Sequence, residues 1–123
     1  LIQYLLGVDR QNPQMSGYAK MTHPAVLRAL KRVIESSAAR QVPLSCCGEM
    51  ASSAVGIMIL VGLGLRRLSL PPLDLGRART FLRRSRVAVF EGLVAQALSL
   101  DSAAEIESML QAHYQDWKLD QSR

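Results

Sequence analysis

The sequence has 123 residues, of which 49% are hydrophobic and 20% charged, and its formal net charge at pH 7 is +5. This length and apolar content suit one ordinary folded domain and exclude an intrinsically disordered chain. The longest apolar run, Ala54 to Leu65, has 12 residues, whereas a membrane-spanning helix needs about 20, so we expect no membrane association.

Two features bear on the setting of the protein. The chain opens on Leu1 with the apolar segment "LIQYLLGVDR", so we expect it to be a piece of a longer protein. Its two cysteines, Cys46 and Cys47, are adjacent, and neighbouring residues are poorly placed to close a useful disulfide loop. From the cysteines we expect a cytoplasmic protein.

The first half of the chain predicts a helix, a strand, a second helix and a second strand. Pro24 begins a segment with apolar residues at helical spacing, namely Val26, Leu27, Leu30, Val33 and Ile34. The segment "VPLSC", residues 42–46, predicts a short strand that Gly48 breaks; residues 53–61 predict a buried helix, and residues 67–70 a second strand. This order indicates two parallel strands with a right-handed crossover. Such a pair needs further strands beside it, which we expect upstream or on another chain.

The remainder of the chain predicts helices only. Pro71 and Pro72 end the second strand, and "LGRARTFLRRS" and "VAVFEGLVAQALS" each predict a helix. Ser102 and Glu105 form a capping box, and the helix that it opens carries Ile106, Leu110, His113 and Trp117 along one stripe. We interpret His113 as a packed or half-exposed helix residue, because no second type of metal ligand stands near it at a suitable spacing.

Arginines are concentrated in one region. Seven of the 15 cations are arginines between Arg66 and Arg86. A nucleic-acid surface is one interpretation. We favour the solvated face of a helix, with Leu75, Ala78, Phe81 and Leu82 on its other side, and predict no nucleic acid, because no aromatic interleaving or nucleic-acid motif accompanies the arginines.

Two residues are candidates for chemistry. Cys47 would lie at the carboxyl end of a parallel strand, where α/β enzymes gather their reacting groups. The alternative is a small core residue, which suits Cys46 better because its side chain should point to the opposite face. Arg10, in "GVDRQN", could bind a phosphate or carboxylate, pair with Asp9, or stay solvated.

The segments "LIQYLLGVDRQN", "HPAVLRALKRVI", "CCGEMA" and "ILVGLGLRRLSL", in this order, resemble the C-terminal portion of the phosphoenolpyruvate-utilising enzymes. Among these, the chain is most similar to enzyme I of the phosphotransferase system, and the likeness continues through "AQALSLDSAAEIESML". The pieces "HPAVLRAL", "CGEMA" and "LRRLS" resemble the nitrogen-related branch more than the sugar branch.

This resemblance implies an α/β fold, the C-terminal portion of a (β/α)₈ TIM barrel, here mostly helical with about two short parallel strands. Residues 1–99 would belong to the barrel, and residues 100–123 would form a C-terminal helix of the same domain. Enzyme I is a phosphotransferase that takes the phosphoryl group of phosphoenolpyruvate onto a histidine of a separate N-terminal domain and passes it to a small HPr-like phosphocarrier protein, releasing pyruvate. Its barrel domain mediates homodimerisation.

The resemblance also implies roles for both candidates. Arg10 would contact the substrate phosphate, and Cys47 would protonate the enolate to give pyruvate. A thiol with a reference pKa of about 8.5 is protonated near neutrality, and we expect apolar neighbours such as Leu44 and Met50 to keep Cys47 so. Gly48, which lacks a Cβ, would leave room for the ligand beside the thiol.

The rest of the family's machinery is expected elsewhere. An Asn-Asp pair, whose Asp binds Mg²⁺, would immediately precede Leu1, and the phosphorylated histidine would also lie upstream. We therefore expect no metal in this chain and no activity from it alone. Ser52 and Ser53 stand where the family usually has Gly-Asp, which leaves open that the parent is an impaired enzyme.

Three other interpretations stay open. A relative of pyruvate-phosphate dikinase or phosphoenolpyruvate synthase would share the barrel, although the tail after Ser85 argues against it. A basic helical binding module would act through residues 66–86, with a salt-dependent affinity for nucleic acid. An association element would use the exposed edges of a partial barrel to dimerise.

Overall fold

The computed structural model describes residues 1–9, 11–12 and 14–120, without the side chains of Ser16 and Asp120. The helices are α1 (Ile2–Leu6), α2 (Pro24–Ala39), α3 (Glu49–Ser52), α4 (Ala54–Gly62), α5 (Pro72–Arg83), α6 (Val87–Ser99) and α7 (Ala103–Asp120), with a 3₁₀ turn at Ser16–Tyr18. The strands are β1 (Cys46–Cys47) and β2 (Leu68–Ser69). The described part is therefore α/β and mostly helical, as the sequence predicts.

The two strands pair in parallel, with Cys46 opposite Leu68 and Cys47 opposite Ser69. Their extents differ from the predicted ones. The first strand was predicted over residues 42–46 but begins at Cys46, whose amide donates to the Arg67 carbonyl at 3.1 Å. Pro43 has no amide hydrogen and cannot donate to a strand ladder, and the pairing of the two strands begins with Cys46 opposite Leu68.

Helix α4 lies at the centre of the core. All residues from Val55 to Val61 are buried, and α4 packs against α3, α5, α6 and α7. A helix that is apolar all round must be covered on every side. Ser53 caps its start, because the Ser53 Oγ accepts a hydrogen bond from the Gly56 amide at 3.0 Å. The family usually has aspartate where this chain has Ser53. Aspartate and serine are equally good N-cap residues, so Ser53 can cap α4 in its place.

An aromatic cluster joins the last three helices. The Phe81 ring of α5 lies 5.4 Å from Phe90 of α6 and 4.8 Å from Trp117 of α7, between ring centroids. Tyr114 stacks on Trp117 at 5.8 Å. His113 is half-buried and meets Phe90 edge-on at 6.5 Å, which is the packed helix position that the sequence predicts.

Helix α5 has a solvated basic face, as predicted. Ala78 and Phe81 are buried, whereas Arg79 and Arg83 are exposed. The prediction that Leu75 lies on the packed side is wrong, because its side chain is 46% exposed. Leu75 lies in the first turn of α5, before the buried positions begin.

In the part of the chain that the structure describes, no helix combines the length and the apolar character that crossing a bilayer requires.

Candidate active-site groove

An open groove of about 470 Å³ surrounds the carboxyl end of β1. The first turn of α1 forms one wall, α2 contributes Val26 and Leu30, and the chain from β1 into α3 forms the other wall. The lining residues from that chain segment are Cys46, Cys47, Gly48, Glu49 and Met50. Ala19 also lines the groove, which therefore forms where segments distant in sequence come together.

The two cysteines have different surroundings. Cys47 is exposed at the last position of β1, whereas Cys46 is half-buried in an apolar cluster that includes Leu44 and Met50. This is the alternation of side chains along a strand. The apolar shell that the sequence analysis assigned to Cys47 was therefore assigned to the wrong thiol, because it encloses Cys46.

The shell around Cys46 has an electrostatic consequence. Burial raises the pKa of the Cys46 thiol, and the neighbouring Cys47 raises it further. Both causes disfavour a negative charge on the Cys46 sulfur. A raised pKa makes a cysteine less nucleophilic at neutral pH, because only the thiolate is a good nucleophile.

Gly48 turns the chain from β1 into α3. Its backbone lies at φ 88° and ψ −166°, a region that residues with a Cβ rarely adopt. A Cβ added there would meet no atom within 4 Å. The dihedral angles, and not crowding, therefore require glycine, and the space beside the thiol is open as the sequence analysis expects.

Glu49 is a groove residue that the sequence analysis did not single out. It begins α3 and is the only carboxylate among the described residues that line the groove. Mg²⁺ is usually held by one or two carboxylates together with substrate phosphates and waters. Among the described residues, no three His, Cys, Asp or Glu side chains form a possible metal site.

The prediction for Arg10 lies outside the described residues. The structure does describe the residues that precede it. Gly7 ends α1 in a left-handed conformation at φ 61°, and Val8 is buried. The Asp9 carboxylate accepts a hydrogen bond from the Gln11 amide at 2.9 Å.

Comparison with known proteins matches residues 1–87 to the family described as "PEP-utilising enzyme, PEP-binding domain". The chain belongs to this family. Within it, the two parallel strands and their helices are the C-terminal part of a TIM barrel, and the matched range includes Cys47.

Several curated proteins are similar to the chain over most of its length. It is 37% identical over 91% of its residues to "Phosphoenolpyruvate-dependent phosphotransferase system" of Escherichia coli, covering 15% of that protein. It is 35% identical over 85% to "Phosphoenolpyruvate-protein phosphotransferase" of Borreliella burgdorferi, covering 18%. It is 33% identical over 89% to "Multiphosphoryl transfer protein" of Xanthomonas campestris pv. campestris, covering 13%. The chain thus spans less than a fifth of the length of these relatives.

Proposed function

We propose that this chain forms the C-terminal part of the barrel of a phosphoenolpyruvate-protein phosphotransferase. The complete enzyme would take the phosphoryl group of phosphoenolpyruvate onto a histidine, pass it to an HPr-like phosphocarrier protein and release pyruvate. The observation that carries this proposal is the 35–37% identity, over 85–91% of the chain, to relatives named for phosphoenolpyruvate-dependent phosphoryl transfer.

Cys47 would supply the proton that completes pyruvate. Once the phosphoryl group has left, the enolate of pyruvate remains, and its terminal carbon must gain a hydrogen. The S–H bond of Cys47 would break as the new C–H bond forms, and water would then reprotonate the thiolate. The exposure of this thiol and its place on the rim of the 470 Å³ groove support the role.

Arg10 would bind the phosphate of the substrate. In a loose phosphoryl-transfer transition state, negative charge spreads over the equatorial oxygens and the leaving enolate, so a fixed cation contributes stabilisation. A guanidinium can donate two parallel hydrogen bonds to a phosphate. We place the Mg²⁺ ligands of the complete enzyme before Leu1, as the resemblance to enzyme I implies.

We also propose that the complete enzyme is a cytoplasmic homodimer. Surfaces that remain open in the described residues support an association. Tyr4 and Leu5 of α1 are 96% and 42% exposed, and in the described part of the chain β1 and β2 form a sheet with no third strand. Parallel sheets are normally covered on both faces, so the rest of the barrel or a second subunit would complete this one.

The test of the proposed function is Cys47→Ala in the complete polypeptide that contains this chain. Its histidine should still be phosphorylated by phosphoenolpyruvate, while pyruvate release, measured by rapid quench, should slow by about 10²–10⁴-fold, the range for removal of a general acid. Cys46→Ala is the matched control and should release pyruvate at the normal rate. Unchanged pyruvate release in Cys47→Ala would remove Cys47 from the mechanism.

A further inference from the structure

A second cavity, of about 260 Å³, lies between residues 19–22, which precede α2, the start of α4 and the middle of α7. Among the described residues, Ala19 alone lines both this cavity and the groove around Cys47. The charged residues that line the second cavity are Lys20 and Glu107. One charge of each sign therefore lies at its wall.

These two charges form an ion pair at the edge of the cavity. The Lys20 Nζ lies 2.8 Å from the Glu107 Oε2, and the two side chains are 43% and 42% exposed. An ammonium has three donors, and a carboxylate has two oxygens that accept several hydrogen bonds. Each group can therefore bind a further partner without giving up the other.

Two backbone donors without acceptors lie at the start of α4. Ala54 and Val55 line the cavity and are the first two residues of this helix. The first amides of a helix have no acceptor within it, and these two amides find none elsewhere in the described part of the chain. The amino end of a helix also carries a partial positive charge, so this end of the cavity favours an anionic group such as a carboxylate.

A buried hydroxyl without a partner lines the same cavity. Thr22 is 2% exposed, and its Oγ1 has no hydrogen-bond partner among the described residues. The preceding residue is fixed to the start of α4, because the Ser53 Oγ donates to the Met21 Sδ at 3.6 Å. Buried hydroxyls normally have a partner. Thr22 is therefore an indication, independent of the helix end, that a polar ligand belongs in this cavity.

We propose that this cavity binds a small α-amino acid in its zwitterionic form. The ligand carboxylate accepts hydrogen bonds from the amides of Ala54 and Val55 and from the Thr22 hydroxyl. The ligand ammonium donates to the Glu107 carboxylate. A simple anion would be repelled by Glu107 and a simple amine by Lys20, so the paired charges select a ligand that carries both.

The size of the cavity agrees with such a ligand. Pockets for drug-sized ligands measure about 300–1,000 Å³, whereas this one measures about 260 Å³. The smaller volume suits a compact molecule with a short side chain. The site is separate from that of the proposed phosphotransferase reaction and does not depend on it.

The test is isothermal titration calorimetry of the complete polypeptide that contains this chain, at constant ionic strength. The probes are L-alanine, propionate, which lacks the amino group of alanine, and ethylamine, which lacks its carboxylate. L-alanine should bind saturably, and each analogue should bind at least about tenfold more weakly, the effect of losing one charged group of the ligand. The absence of saturable L-alanine binding, or equally tight binding of either analogue, would overturn the proposal.

Thr22→Val tests the buried hydroxyl. Binding of L-alanine should weaken about tenfold, the effect of losing one hydrogen bond to a charged group. The thermal unfolding temperature should not fall, because this hydroxyl has no partner within the described part of the chain. Thr80→Val is the matched control, since Thr80 is exposed on α5 and does not line the cavity. Equal affinities for L-alanine in these two variants would contradict the proposed site.

Glu107→Gln tests the partner of the ligand ammonium. L-alanine should bind at least about tenfold more weakly, whereas propionate should bind more tightly than to the unmodified protein, because the repelling carboxylate is gone. A purely structural role of Glu107 would not produce this change of preference. Glu105→Gln is the control: Glu105 is exposed on the same helix and does not line the cavity, so both affinities should change by less than about twofold. The proposal fails if the two variants behave alike.

Discussion

Cys46 and Cys47 are the same residue type at adjacent positions and both line the groove, yet Cys47 is exposed and Cys46 is half-buried. The difference arises because a strand directs successive side chains to opposite faces. Leu44 and Met50 pack around Cys46, which raises its pKa through burial, while Cys47 lies at the rim of the groove. The proposed proton-donor role of Cys47 would therefore depend on strand register as much as on residue identity.

The thiols should be distinguishable by their rates of alkylation across pH. Because the pKa of Cys46 is raised in the fold, its thiolate forms at higher pH than that of an ordinary cysteine, and iodoacetamide should modify Cys47 first at pH 8. The same shift makes the stability of the fold depend on pH. The Cys46 thiol favours the folded state at pH values below its unfolded-state pKa, and this contribution to the free energy of unfolding is lost as pH rises through its folded-state pKa. Peptide mass spectrometry measures both rates, and faster modification of Cys46 would contradict the assignment.

Gly48 is predicted to be intolerant of substitution for reasons of backbone conformation alone. Gly48→Ala should reduce the free energy of unfolding by about 1–3 kcal/mol, because alanine is strained at φ 88° even though the space is open. Gly76→Ala is the control: Gly76 lies within α5, also in open space, and should gain about 0.5–1 kcal/mol. Equal effects in urea denaturation would refute this explanation of Gly48.

Helices α4 and α6 pack closely against each other at Gly62. A Cβ at Gly62 of α4 would lie 2.5 Å from the Phe90 carbonyl oxygen and 2.6 Å from the Val94 Cγ2. Gly62→Ala should therefore push the helices apart and cost about 1–3 kcal/mol of stability. Gly92→Ala, in open space on α6, should be neutral or stabilising. Thermal unfolding compares the two variants, and a stable Gly62→Ala protein would show that the interface can yield.

The sequence allowed the long elements to be predicted but not the short ones. Helix α4 followed from its apolar run, and α5 from its alternation of buried and basic positions. The predicted extent of β1 was wrong because Pro43 and the start of β2 limit the pairing. The pairing register depends on both strands and cannot be read from one strand alone. Helix α3 has four residues, too few to show a helical period.

At the scale of the whole molecule, the site could be predicted only in part. The motifs around Cys47 and Arg10 each lie within one short segment, so the family could be recognised from the sequence alone. The groove could not be predicted, because its walls combine the start of α1, one face of α2 and the turn after β1. Glu49 was not singled out for the same reason: its place beside Cys47 depends on the turn at Gly48.

We propose that phosphoenolpyruvate binds in the groove that Cys47 lines. The most direct test is the rate at which iodoacetamide alkylates Cys47 in the complete polypeptide carrying Cys46→Ser, with and without phosphoenolpyruvate and Mg²⁺. At a ligand concentration ten times the dissociation constant, about a tenth of the sites remain free. Alkylation of Cys47 should therefore be about tenfold slower than without phosphoenolpyruvate. If phosphoenolpyruvate binds but leaves the alkylation rate of Cys47 unchanged, it does not bind in this groove.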